Sequence, residues 1–348
     1  MQFKDVIGQE GLKQRLIQAA RAGHVPHAQL FVGDEASGVL PLVLAYAQYL
    51  QCDHPGASDS CGVCPQCVQM AKLVHPEVHF VFPVVKERSD KATLSDDKMA
   101  VWREALQENP YMTCNEWMDR IRDGAKQGGI FVEESTALIR KLSFSSAATN
   151  YKMVIVWMAN KMGPVPANKL LKILEEPNER TLFMMIAPDT QQMLPTVLSR
   201  MQLVKVPPLP ASAGGYAGSA AFFDDFVAMM RTAYMAFSSN PARNEMQHLS
   251  EWAARMAQRS RDEQKSYLQY AQRMIRESYL VHLNLPGLTD MSEQERAFVS
   301  RFAPFVNNRN VEDITGLLNL ASAHIEANGN QTLVFFDTGL QLALCLHR

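Results

Sequence analysis

Along residues 9–22, Leu12, Leu16, Ala19 and Ala20 recur at the spacing of one helical face. "AQLFVG" then reads as a short buried strand stopped by its glycine. "PLVLAYAQYL" reads as an apolar helix with Pro41 tolerated in its first turn. A helix is expected through "CVQMAKLV" and a strand over "VHFVFPVV", ended by Pro83. Residues 85–128 are polar and charged, with Trp102, Tyr111 and Trp117 spaced among them, and read as a helical insertion whose aromatics either stack on single-stranded DNA or, the favoured reading, build a small local core. "IFVEESTALIRKLSF" starts extended and turns helical, with acidic residues near its beginning. "KMVIVW" is a buried strand, "ANKLLKILEEP" a helix that Pro177 stops, and "TLFMMIA" and "MQLVKV" two further buried strands. Strands alternating with helices predict an α/β fold, a parallel sheet covered by helices.

At "PPLPASAGGYAGSAA" the pattern changes to Pro, Gly, Ala and Ser, which marks a boundary. From residue 221 onward only helical patterns appear, from "FFDDFVAMMRTAYMAF" to "TLVFFDTGLQLALCL". A chain of 348 residues is too long for one ordinary domain, and 47% hydrophobic residues suffice for more than one core. The net charge of −2 argues against coating nucleic acid through bulk positive charge and leaves room only for a local basic groove. No apolar run reaches the roughly 18 residues of a membrane helix, and "MQFKDVIGQE" has no signal-peptide apolar segment. A cytoplasmic protein without membrane contact is expected.

Cysteine spacing adds chemistry. Cys52, Cys61, Cys64 and Cys67 fall within "CDHPGASDSCGVCPQC", whereas Cys114 and Cys345 are isolated thiols. In a reducing compartment a tight cluster of four cysteines points to a metal site rather than to two disulfides. Four thiolates suit a tetrahedral structural zinc, and Gly56 and Gly62 permit the turns that close the cage. His54 is a conceivable substitute ligand, but the set of four cysteines is already complete. A closed site leaves no place for substrate, so the zinc is structural.

The stretch "LFVGDEASGVL" has the outline of a phosphate-binding loop. Gly33 and Gly38 stand at the spacing of G-x-x-x-x-G-K-[ST], but Val39 and Leu40 replace the lysine and the hydroxyl residue. Two such glycines also suit an ordinary strand–helix turn.

Context decides between these readings. "VIGQEGLKQRL" and "HVPHAQLFVG" precede the loop, and "NKLLKILEEP" and "LPTVLSR" follow it. With the inserted C-x8-C-x2-C-x2-C cluster, they resemble the AAA+ subunits of the DNA polymerase III clamp loaders, and within that family the delta-prime branch. The resemblance covers residues 1–84 and 129–207 strongly and the helical remainder in pattern only. It implies an acid pair where this chain has Trp157 and Met158, and a polar sensor of the γ-phosphate where it has Pro188. Lysine, hydroxyl, acids and sensor are thus all absent. Together these changes remove the phosphate clamp and the metal site that phosphoryl transfer depends on. No ATP is expected in this chain's own site.

The resemblance also places Ser199-Arg200 at the family's Ser-Arg-Cys motif, with Met201 in the third position. It implies that Arg200 acts as an arginine finger on a neighbouring subunit's ATP. Glu175 and Glu176 are adjacent on a helix and point about 100° apart, so they read as a solvated face or an intersubunit contact rather than a catalytic pair.

The expected organisation is an AAA+ core over 1–207, carrying the zinc module at 52–67 and the insertion at about 85–128. A vestigial or deleted lid over 208–220 and an all-α collar over 221–348 follow. The implied partners are ATPase subunits of the tau/gamma type and the clamp-opening delta subunit. Through the complex they include the sliding clamp and primed DNA, which would bring the chain to the nucleoid with the replisome. Two rival readings remain, an AAA+ ATPase with unorthodox residues and a zinc-dependent nucleic-acid-binding module. The cysteine loop, with two aspartates and no Lys or Arg, is a poor phosphate-binding surface.

Overall fold

Hydrophobic residues fill β3 (Lys152–Val156) and β4 (Thr181–Ala187) almost without interruption, and both strands are buried on both faces. Such runs belong in the middle of a parallel sheet with helices on each side. In the computed structural model they do lie there. The order is β2 (Val78–Val81), β3, β4, β1 (Ala28–Val32), β5 (Gln202–Lys205), and every pairing is parallel. The structure describes residues 1–86, 94–121, 128–143, 151–209, 219–236 and 243–347.

One face of the sheet packs against α1 (Glu10–Arg21), α2 (Val39–Gln51), α3 (Pro65–Ala71), α4 (Met99–Glu108) and α5 (Cys114–Ile121). The other packs against α6 (Val132–Ser143), α7 (Pro164–Glu175) and the single turn α8 (Pro195–Leu198). Helix α1 buries Leu12, Leu16 and Ile17, as its periodicity requires. Pro41 sits in the first turn of α2, where no backbone donor is lost.

In the insertion, Phe82 stacks on Trp102 at 4.2 Å, and Trp117 meets Trp102 edge-on at 5.0 Å. Trp117 donates its indole N–H to the Pro83 carbonyl at 2.8 Å. These aromatics are therefore a local core, as their spacing suggests. Trp102 and Trp117 are buried, so neither offers a stacking face to single-stranded nucleic acid.

The expectation for "MQLVKV" fails. β5 is the sheet's edge, with Gln202, Leu203 and Lys205 exposed. Apolarity alone does not tell an edge strand from a central one. The β2 ladder also ends at Val81, before Pro83, because Phe82 turns into the aromatic cluster.

The chain divides into two compact units between Leu209 and Pro210. Most of the segment expected to be a vestigial lid, residues 210–218, lies outside the described residues, as do 87–93 and 122–127 of the insertion. The second unit contains α9 (Ser219–Ala236), α10 (Arg243–Ala257), α11 (Arg261–His282), α12 (Glu293–Phe302), α13 (Val311–Glu326) and α14 (Gln331–Leu346). Trp252, Tyr267, Phe226 and Phe335 are the largest of its fully buried side chains among the described residues. Helices α10 and α14 approach closely at Gly339, where a Cβ would fall 2.4 Å from Leu249 Cδ1.

A buried polar knot sits among these helices. Glu295 pairs with Arg273, accepts the Tyr270 hydroxyl at 2.8 Å, and closes the capping box of Ser292 by accepting its N–H at 2.8 Å. Burial pushes the Glu295 carboxyl up, but the Ser292 amide, the Tyr270 hydroxyl and Arg273 outweigh it and hold the carboxyl below its ordinary value. A depressed acid contributes stability that is present above the unfolded value, about 4.3, and lost as pH falls through the folded one.

Glu295→Gln should therefore destabilise the second unit by about 2–4 kcal/mol at pH 7. The deficit against wild type should shrink as pH drops through the carboxylate range. Urea unfolding of both proteins at pH 7 and near pH 4 checks this. A deficit independent of pH would mean that the charge on Glu295 contributes nothing.

Candidate functional site

Leaving α2, the chain extends at Cys52 and returns through Cys61 and Cys64 to the start of α3. Cys64 caps that helix by accepting the Cys67 N–H at 3.4 Å, and Pro65 follows it. All four sulfurs lie within 4.8 Å of one another, and Cys61 Sγ and Cys67 Sγ are 3.9 Å apart. A tetrahedron with zinc–sulfur bonds of about 2.3 Å has edges of about 3.8 Å. All four cysteines are free thiols.

Backbone amides point at the sulfurs. Cys61 N–H donates to Cys52 Sγ, and Cys64 N–H to Cys61 Sγ, each at 3.3 Å. Amides of Val63 and Cys64 lower the Cys61 thiol to about 6, while burial raises Cys67 and Cys52. His54 contributes its amide to Cys52 rather than its ring. A thiolate nest of this kind fits a soft tetrahedral dication such as zinc, held by Cys52, Cys61, Cys64 and Cys67. A bound dication would favour the deprotonated form at every sulfur, including the buried ones.

The cysteine loop also holds the N-terminus. Asp59 accepts the N–H groups of Phe3 and Lys4, both at 3.0 Å, and the Ser60 carbonyl accepts Gln2 Nε2 at 2.6 Å. Phe3 then packs against Tyr49 and Tyr46 on α2.

The loop between β1 and α2 needs its glycines for steric reasons alone. A Cβ at Gly33 would lie 2.6 Å from the Val206 carbonyl, and Gly38 has φ of 72°, a left-handed conformation that caps α2. Val39 and Leu40 begin α2 fully buried, and Trp157 and Met158 leave β3 equally buried. These residues, Gly33 and Pro188 line one small space. The structure thus brings Gly33, Val39, Leu40, Trp157, Met158 and Pro188 together around one small, mostly apolar space that Glu35 also lines.

Arg200 lies where α8 turns into β5. Its Nε donates to Glu175 Oε1 at 2.6 Å, with a second contact from the same guanidinium. It also donates to the Thr196 carbonyl at 2.7 Å and to Ser199 Oγ at 3.1 Å. Both partners of the ion pair are partly exposed, Arg200 at 31% and Glu175 at 48% of their side chains.

Comparison with known proteins bears on this constellation. The family described as DNA polymerase III, delta subunit, matches residues 8–210, more than half of the chain. This chain belongs to that family. It is 26% identical over 198 residues to the DNA polymerase III subunit delta' of Bacillus subtilis (strain 168), and 27% identical over 197 residues to that of Escherichia coli (strain K12). Each alignment covers 57% of this chain and 47% of the relative. The DNA polymerase III subunit gamma/tau of Mycobacterium bovis (strain ATCC BAA-935 / AF2122/97) is 27% identical over 198 residues, 57% of this chain and 27% of that protein. The matched stretch is thus about half or less of the curated relatives' length.

Family membership covers the first unit, which holds all three constellations. Two contributors had no signal in the sequence. Glu175 meets Arg200 across 25 positions, and Asp59 meets Phe3 across 56. Neither separation has a local spacing rule, and only the packing of α7 on α8 and of the cysteine loop on α2 creates them. Glu175 does lie on a solvated face, as expected, with its side chain 48% exposed, and it also carries an ion pair with Arg200 within its own chain.

Protein purified without chelator should hold about one zinc per chain. Cys64→Ser should lose the metal and speed amide exchange at residues 2–6, because Asp59 and Ser60 would no longer be fixed. Metal analysis with hydrogen-exchange mass spectrometry reads both. Unchanged protection at residues 2–6 in the metal-free variant would show that the cage does not anchor the N-terminus.

Proposed function

We propose that this chain is a delta-prime-type subunit of a DNA polymerase III clamp loader, one that assembles with ATPase subunits but hydrolyses no ATP itself. One observation carries the proposal: within the family match, every position that would handle phosphate or magnesium is apolar. Val39 and Leu40 are buried in the first turn of α2, against Trp157 and Met158. Stabilising a transferring phosphoryl group takes cationic and metal-held charge close to it. None of these four side chains can supply or hold any.

Arg200 is the residue this reading assigns to catalysis in trans. Its corner between α8 and β5 is braced by Thr196 and Ser199. A partly exposed ion pair is worth about 0–1 kcal/mol, so Glu175 can release the guanidinium to a neighbour's phosphates at little cost. Until then Glu175 keeps it extended and oriented. The zinc cage is structural in this reading, and the helical unit is the oligomerisation collar. Leu333 and Leu344 are 64% and 50% exposed and lie about three turns apart on one face of α14, with the hydrogen-bonded Asp337 and Gln341 exposed beside them, two apolar points of contact suited to like helices in neighbouring subunits. The work of such a ring would be to help place a sliding clamp on primed DNA.

Arg200→Ala should leave the chain folded and able to join its complex, yet lower the DNA- and clamp-stimulated ATPase of that complex. A finger in trans is worth about 10³ to 10⁵ at one site. A ring whose other sites have their own fingers should lose only part of its turnover. Arg200→Lys should rescue incompletely, because an ammonium lacks the planar fork. Full turnover by an intact complex containing Arg200→Ala would leave Arg200 a purely structural role.

Leu333→Lys with Leu344→Lys should leave thermal stability within about 1 kcal/mol of wild type while preventing co-elution with the ATPase subunits. Normal assembly of the double variant would remove α14 from the proposed collar contact.

A further inference from the structure

The space framed by Gly33, Val39, Leu40, Trp157, Met158 and Pro188 is also lined by residues from outside the β1–α2 loop. Pro110, Tyr111 and Met112, the connection between α4 and α5 in the insertion, enter it. What remains open is about 10 Å³, scarcely one water. Small-molecule sites run from roughly 300 Å³ upward.

The connection is held at several points. Tyr111 N–H donates to Asn109 Oδ1 at 3.0 Å, and Met112 N–H to the Asn109 carbonyl at 3.2 Å, which fixes the turn. Thr113 and Glu116 cap α5 reciprocally, with Thr113 N–H donating to Glu116 Oε2 at 2.7 Å. Glu35, from the glycine loop itself, accepts the Cys114 N–H at the same helix start. Behind the turn, Trp157 packs against Trp102 at 4.9 Å.

Tyr111 reaches furthest. Its ring lies on the bare backbone of Gly38, where a Cβ would come within 2.9 Å of Tyr111 Cε1. Its hydroxyl accepts the Ile7 N–H at 2.7 Å. A planar ring thus rests on the loop's second glycine, with its oxygen on a main-chain amide of the N-terminal segment.

We propose that the insertion plugs the ligand cavity of this unit, and that Tyr111 occupies it as a built-in aromatic ligand. The inference rests on the reading that this chain uses no ATP of its own. It adds a reason why the fold stays closed without one. A mobile ligand would hold the N-terminal segment, the glycine loop and the strand ends together only while bound. Tyr111 does so permanently, bridging Ile7 and Gly38. The glycine loop is freed from phosphate chemistry, and Glu35 holds the plug's helix.

The test uses the full chain as wild type, Tyr111→Phe and Tyr111→Ala, with p-cresol as a stand-in for the lost ring. Tyr111→Phe should fold normally and speed exchange of the Ile7 amide about tenfold, the loss of one hydrogen bond. Tyr111→Ala should lower Tm by roughly 4–8 °C and expose the Gly38 and Val39 amides, with millimolar p-cresol restoring part of both. Unchanged Ile7 exchange in Tyr111→Phe would overturn the proposal, as would an alanine variant with wild-type Tm or one that p-cresol does not stabilise. A fluorescent ADP analogue titrated into wild type separates the two readings. Tight binding there would sink the ATP-free function itself, whereas no binding together with unchanged Ile7 exchange would sink the plug alone.

Discussion

The N-terminal unit is organised around one helix with no solvent-facing side. Every residue of α2, from Val39 to Gln51, is buried. Such a helix needs cover all round, and each neighbouring piece supplies part of it. The sheet lies beneath, α1 and Phe3 cover one flank, and the cysteine loop and α3 cover the far end. The insertion covers the beginning. A phosphate-binding helix needs its first turn open to solvent and lined with a lysine and a hydroxyl. Here that first turn instead carries Val39 and Leu40, both buried, and an apolar first turn requires something apolar above it.

Two devices follow from this demand, and both are placed by packing rather than by local sequence. The loop after α2 gathers four cysteine sulfurs, and Asp59 and Ser60 of the same loop pin Gln2, Phe3 and Lys4. The aromatic insertion closes the other end, with Trp102 wedged between Phe82 and Trp157. Apolar substitutions in a loop of this shape thus act as packing residues for the pieces that seal it.

Arg200 stands in contrast. It lies on the rim of the same sheet, partly exposed, in an ion pair of small energy. Such a pair can open to solvent at little cost. A buried pair such as Arg273 with Glu295 has no such freedom, because separating it would strand charge in a low-dielectric core.

Sequence alone determined what depends on local periodicity and ligand count. The helix and strand order, the change to an all-helical second part, the gathering of four cysteines and the apolar side chains at Val39, Leu40, Trp157 and Met158 were all legible. Each is written in spacing or in side-chain type. Tertiary structure alone decided which strand lies at the edge, so β5 is exposed although its pattern matches a buried strand. It also decided that Glu175 takes Arg200, that Asp59 takes the N-terminus, and that Tyr111 fills the space over Gly38. These contacts join residues 25 to 104 positions apart. No backbone period links such positions, and only the closing of the chain around α2 brings them together.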